Sequence, residues 1–334
     1  MTARPGGVRR RAAILSLLVL SAACATTLDD RTADGCAMSA EDAAWREGAF
    51  AAWDLTLERV IGAEADGPSP VYVFYDARCV FTGADGRWRA EAHRGEATLP
   101  DGGSIPPQVA SFAAPFGPDR RVYLAMALPS VWRADGVESA LGLESLMTAV
   151  FVHEMTHTLQ FGAYDPIIDE MSARWGLGED FTDDAFQDRF RGSPQIAAAI
   201  QAESTLLFAA AFTDDDAEAR DLARQALASM QARRARLDGG PEAGYLEVED
   251  VFLSLEGSAQ WAAFRWLTMS EGGGHDARHA LPLFRRGGRL WSQDEGLALY
   301  LAVDRLLPGW TESAFATTEP RSALRLLADA VEGG

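Results

Sequence analysis

The 334-residue sequence contains no lysine, so all 30 of its basic residues are arginines. That absence excludes Schiff-base chemistry and P-loop nucleotide binding, which both need a lysine amine. Positive charge is scarce altogether: 49 acidic residues bring the formal net charge to -19. A chain this acidic is a poor match for phosphate-rich partners, so nucleic acid is not an expected ligand, and an anionic membrane surface is disfavoured for the same reason. Cysteine is also rare, with three residues and no Cys-x-x-Cys pair, so nothing among the cysteines resembles a metal site. Internal repeats and a clean interdomain linker are absent. Hydrophobic residues still make up 48% of the chain, which excludes wholesale disorder. The length allows about two domains of roughly 150 residues, or one large one.

The chain opens like an export signal. Arg9, Arg10 and Arg11 form a positive region, an apolar run covers 12–20, and Ser21-Ala22-Ala23-Cys24 follows. The apolar run is too short to span a bilayer. Small residues before a cysteine resemble a bacterial lipobox, with Ser21 where that pattern prefers leucine. Residues 1–23 are therefore expected to be a signal peptide, with Cys24 lipidated and 24–38 a tether. Cleavage near Ala23 without lipidation is the alternative. Processing before Cys24 removes four arginines and no acid, taking the charge to -23. A lipid, not charge, would then hold the protein at a membrane. The expected location is the cell envelope (periplasmic or facing the outer membrane) or the secreted fraction. In such a compartment Cys36 and Cys79 are expected to form one disulfide; two unpaired thiols are the alternative.

Periodicity predicts an α+β fold dominated by helices, with strands early and helices late. Residues 39–61 read as a helix capped by Ser39, 71–75 and 80–82 as strands, and 84–118 as a long irregular segment. Another strand is expected over 121–128. A buried helix is predicted from Leu143 to Phe161, ended by Gly162, and 163–192 as irregular and acidic. Further helices are predicted at 194–212, 217–237, 245–269, 292–307 and 322–331, with Ser292 and Glu295 as a capping box for the fourth of these.

Inside the helix predicted from Leu143 lies Phe151-Val152-His153-Glu154-Met155-Thr156-His157. His153 and His157 are four residues apart, so their rings share one helical face and can reach one metal ion. Zinc suits two imidazoles. Glu154, one step round the helix, can stand beside an acidified water and accept its proton as the water attacks a carbonyl.

This His-Glu-x-x-His segment resembles the zincin metallopeptidases. The strand expected at 121–128 also suits that family, where an edge strand above the motif helix binds extended substrate. No third histidine follows closely after His157, which points to the gluzincin branch of the family. There the third ligand is a glutamate on a later helix. Two glutamates fit. Leu255-Glu256-Gly257-Ser258-Ala259-Gln260-Trp261 resembles the ligand segment of many gluzincins, whose small residues let that helix pack close to the motif helix. Glu203 shares an apolar stripe with Ile196, Ile200 and Leu207 and is the alternative ligand. A buried ion pair with arginine is the competing explanation for either carboxylate. The resemblance covers about 120–310, with 163–245 as a long helical insertion. It implies a catalytic domain over 119–334, preceded by an α/β region at 39–118. The expected protein is thus an exported zinc metallopeptidase with a peptide or protein substrate. A catalytically silent zinc-binding lipoprotein acting as a partner-binding scaffold is the alternative. Tyr245, Tyr300, His275, His279 and Arg278 are candidates for stabilising an oxyanion, and none is singled out.

Overall fold

A computed structural model of the chain describes residues 35–63, 69–178, 182–285 and 289–333. The expected signal segment, Cys24 and most of the tether lie outside the described residues.

Helix α1 (Ala40–Thr56) starts at Ser39, whose hydroxyl accepts the Asp42 N–H at 3.0 Å, an N-cap as predicted. A wider helical turn, Leu57–Ile61, extends it to Gly62. Cys36, just before α1, forms a disulfide with Cys79 at the start of β2.

Five strands build one mixed sheet in the order β3-β2-β1-β7-β6. They are β1 (Val71–Tyr75), β2 (Cys79–Ala84), β3 (Arg87–Ala92), β6 (Ser111–Phe116) and β7 (Arg121–Ala127), while β4 (Ala97–Thr98) and β5 (Ser104–Ile105) make a small separate pair. Only β1 and β7 run parallel. The segment 84–118 was expected to be irregular, yet it supplies both edge strands, β3 and β6. Their sequences hide them for physical reasons. β3 alternates charges with Trp88 and Ala90, as an exposed edge does. β6 contains Pro115, which reads as a strand breaker. In the structure the Ala113 N–H points away from β7, towards Glu154. By antiparallel alternation Pro115 also faces outward, where its missing N–H removes no ladder bond.

The strand expected at 121–128 is present, but it is not the edge. β7 lies between β1 and β6, and β6 is the edge strand beside the motif helix. A domain boundary was expected at 118/119. One sheet takes strands from both sides of it, and one hydrophobic core runs from Cys36 to Val331.

Helices α2 (Pro129–Ala134) and α3 (Leu143–Trp175) follow the sheet. α3 does not stop at Gly162; it passes through Gly162 and Pro166 and ends at Gly176 in the left-handed conformation. Pro166 would press on the carbonyl of the residue four earlier. That residue is Gly162, and a side chain built there would meet nothing within 4 Å. On either side of the proline, Tyr164 and Met171 are buried in a second core with Phe190, Val248 and Phe252. Tertiary burial therefore carries the helix past two residues that would end it in isolation.

The remaining helices are α4 (Ala185–Phe190), α5 (Pro194–Phe212), α6 (Asp216–Arg234), α7 (Gly244–Thr268), α8 (Ala277–Phe284), α9 (Trp291–Leu306), α10 (Thr311–Ala314) and α11 (Ala323–Glu332). Ser292 and Glu295 do not cap α9. Leu290 occupies the cap position, Ser292 lies within the first turn, and Glu295 is buried beside Arg233. α7 is apolar nearly all round and packs between α3 and α9. Together these elements form a helix-dominated α+β fold.

Candidate metal centre

Every residue of α3 from Met147 to His157 is buried. Phe151 fixes the helix to β1 and α1, with its ring 6.2 Å from Phe74 and 5.4 Å from Phe50. This anchoring turns the face of His153 and His157 towards α7. There Glu256 is fully buried between the two rings.

The three ligating atoms converge. His153 Nε2 and His157 Nε2 are 3.0 Å apart, and each faces a different Glu256 oxygen, His153 to Oε2 at 3.3 Å and His157 to Oε1 at 3.2 Å. The imidazoles hold the Glu256 carboxyl well below the usual range, although burial opposes them. Ligand atoms about 2.0–2.1 Å from a tetrahedral ion are separated by about 3.3 Å. The spacing, the burial and the nitrogen–oxygen donor set therefore fit one divalent ion. Among the described residues this is the only group of three or more such side chains able to hold a metal ion.

Buried amides surround the ligands. Gln160 Oε1 lies 3.0 Å from His157 Nδ1, and its Nε2 donates to Ser258 Oγ at 2.7 Å. Gln293 Nε2 donates to Glu256 Oε2 at 3.0 Å, while its Oε1 accepts from Gln260 Nε2 at 2.7 Å. Of these, Gln160 had a sequence signal, since it follows His157 by three residues on the same helical face. Gln293 had none, because only the packing of α9 on α7 brings it there.

That packing depends on glycine. A Cβ on Gly257 would lie 2.6 Å from the Gly296 Cα, and one on Gly296 would lie 2.5 Å from the Gly257 Cα. The small residues after Glu256 were expected to bring α7 against the motif helix. Gly257 faces α9 instead, and Ser258 is the residue that meets α3, through Gln160.

Glu154 Oε2 accepts the Ala113 N–H of β6 at 3.1 Å. Burial pushes its carboxyl well above the ordinary value, with the negative charge of Glu256 adding, and the Ser111 hydroxyl and Ala113 N–H opposing. Asp183 is raised likewise, first by burial and then by Glu256 and Asp184. Neither Asp183 nor Ser111 was singled out by the sequence.

Glu203 does not join the histidines. Its Oε2 accepts from Arg233 Nε at 2.9 Å and its Oε1 from Ser229 Oγ at 2.9 Å. Arg233 also pairs with Glu249 and lies 3.6 Å from Glu295. The alternative ligand is thus one half of a buried ion pair. Glu179, also a glutamate following the motif, lies outside the described residues. Among the oxyanion candidates, Tyr300 is buried against Trp310, Tyr245 packs on Phe190, and Arg278 donates to the Phe212 carbonyl.

No family model matches the sequence, and comparison with curated proteins and with solved structures finds no match.

Proposed function

We propose that this protein is an exported, zinc-dependent metallopeptidase of gluzincin type, in which His153, His157 and Glu256 hold the ion and Glu154 is the general base. The observation that carries this reading is the convergence of three buried ligand atoms next to a glutamate on the same helix. Zinc is the favoured ion because two imidazoles and one carboxylate are its usual catalytic donors. When bound, it supplies a Lewis acid that polarises a carbonyl and lowers the pKa of water to about 7.

The chain's own residues perform the remaining steps. Glu154 takes the proton from the attacking water and returns it to the departing amine. Ala113 holds the Glu154 carboxylate through its N–H, so the base stands directly under strand β6. The buried apolar surroundings keep bulk water from the reacting groups. The Cys36–Cys79 disulfide is compatible with export to an oxidising compartment. A lipid anchor on Cys24 would supply the only membrane attachment.

Elemental analysis of the purified protein, with peptide hydrolysis measured beside it, tests the reading. One zinc per chain is expected. Glu154→Gln is expected to retain that zinc while hydrolysis falls by about 10²–10⁴-fold. Protein without zinc would remove the metal assignment; full activity in Glu154→Gln would remove Glu154 as the base. A metal-loaded wild type with no hydrolysis would leave the silent scaffold.

A further inference from the structure

We propose that Gln160 and Gln293, the latter backed by Gln260, are positioning residues that set the direction of the His157 and Glu256 side chains for the ion. This inference rests on the zinc reading above. The three glutamines are only 3%, 4% and 1% exposed for Gln160, Gln260 and Gln293. Glutamine is seldom buried so fully unless its amide is satisfied.

The orientation of each amide follows from its partners. Ser258 donates its hydroxyl proton to the Ser254 carbonyl at 2.7 Å. It can therefore only accept from Gln160, which must turn its NH₂ that way. The Leu255 carbonyl, 3.4 Å from the same nitrogen, makes the same demand. Gln160 Oε1 is then left facing His157 Nδ1, and an amide oxygen only accepts. His157 must carry its proton on Nδ1, so its Nε2 lone pair points at the ligand cluster. The anchor of this chain, Leu255 and Ser258, flanks Glu256 on α7. One glutamine thus ties the ring of one ligand to the backbone turn that carries another.

The second relay runs the other way. A carboxylate offers no proton, so Gln293 turns its NH₂ to Glu256 and its oxygen to Gln260. Gln260 sits one turn beyond Glu256 on α7, and Gln293 comes from α9. The relay therefore leaves α7, crosses to α9 and returns to Glu256. It fixes which Glu256 oxygen is engaged from behind, and it depends on the close Gly257–Gly296 contact.

The test measures zinc affinity by chelator competition on the full chain, with cobalt(II) absorption as a report on ligand geometry. Gln160→Met and Gln293→Met are expected to weaken zinc by about 10–100-fold and to alter the cobalt spectrum. Gln160→Glu keeps an acceptor opposite His157 Nδ1 but loses the donor to Ser258 and the Leu255 carbonyl, and is expected to weaken zinc less than Gln160→Met does. Gln160→Asn is polar but one methylene short. It is expected to behave as Gln160→Met, and it serves if the methionine variant does not fold. A merely structural role would lower thermal stability while leaving metal affinity and the cobalt spectrum unchanged. Wild-type zinc binding with unchanged affinity in the variants overturns the positioning role alone. A wild type that binds no zinc overturns the zinc reading and this inference together.

Discussion

Glu203 and Glu256 are both fully buried glutamates on apolar helices, and both were ligand candidates, yet their surroundings differ in kind. Glu203 lies in a closed cluster where Arg233 is shared among Glu203, Glu249 and Glu295, and Arg234 also reaches Glu249. A guanidinium is always charged, so that cluster carries its own cation. Glu256 faces two imidazoles instead. An imidazole nitrogen can offer a lone pair to a metal, as a guanidinium cannot, so the Glu256 cluster could hold an ion. The difference teaches that burial of a carboxylate does not by itself mark a candidate metal site; what its partners can donate does. The arginine cluster carries its own cation, and the histidine cluster has the donors to take one up.

The largest expected effect breaks the comparison from the arginine side. Arg233→Leu leaves three carboxylates buried around a missing cation and should cost about 3–5 kcal/mol of stability, read from urea denaturation. Glu256→Gln should behave in the opposite manner, keeping most of the metal-free stability while abolishing stoichiometric zinc. Equal stability losses in the two variants would erase the distinction.

A smaller effect tests the support of the histidine cluster. Gly296→Ala places a methyl group against the Gly257 backbone and should cost about 1–3 kcal/mol. Because α9 also carries Gln293, zinc affinity should fall with it. A variant with wild-type thermal stability would show that α7 and α9 can separate freely.

The smallest effect is a dependence on pH. Burial pushes the Asp184 carboxyl up from 3.8 to about 6, with the charges of Asp188 and Glu256 adding. The unfolded chain loses this proton near pH 4, the folded chain near pH 6. The resulting preference for the folded form is complete below pH 4 and is lost as pH rises to about 6. Asp184→Asn should therefore gain relative to wild type at pH 7 but not at pH 4. The gain should be at most about 1 kcal/mol, because the side chain is partly exposed. Thermal midpoints at the two pH values would show it. Zinc in the histidine cluster should shrink the difference by offsetting the charge of Glu256.

Much of the helical half was legible in the sequence because its signals are local. Ser39 caps α1, Ser193 caps α5, and the apolar stretch of α7 reads as a buried helix without any neighbour. The failures share one cause. α3 passes Gly162 and Pro166 because Tyr164 and Met171 are buried in the second core, and β6 exists despite Pro115 because that residue faces outward. In each case a contact distant in sequence outweighs a local preference.

The site divides along the same line. Spacing alone determined that His153 and His157 share a face, with Glu154 beside it, because one helical turn separates them. The amino-acid order also carried the acid excess, the lack of lysine and the pair of cysteines that became the disulfide. The segment around Glu256 already favoured it over Glu203, but the physical reason lay in the fold. Both glutamates lie on apolar helices, and what separates them is residues far away: Arg233 on α6 for one, the histidines on α3 for the other. The approach of Gln293 to Glu256 depends likewise on α9 reaching α7 through two glycines. Helical periodicity acts over one turn and can be read along the chain; the compensation of a buried charge acts through space and needs the packed structure.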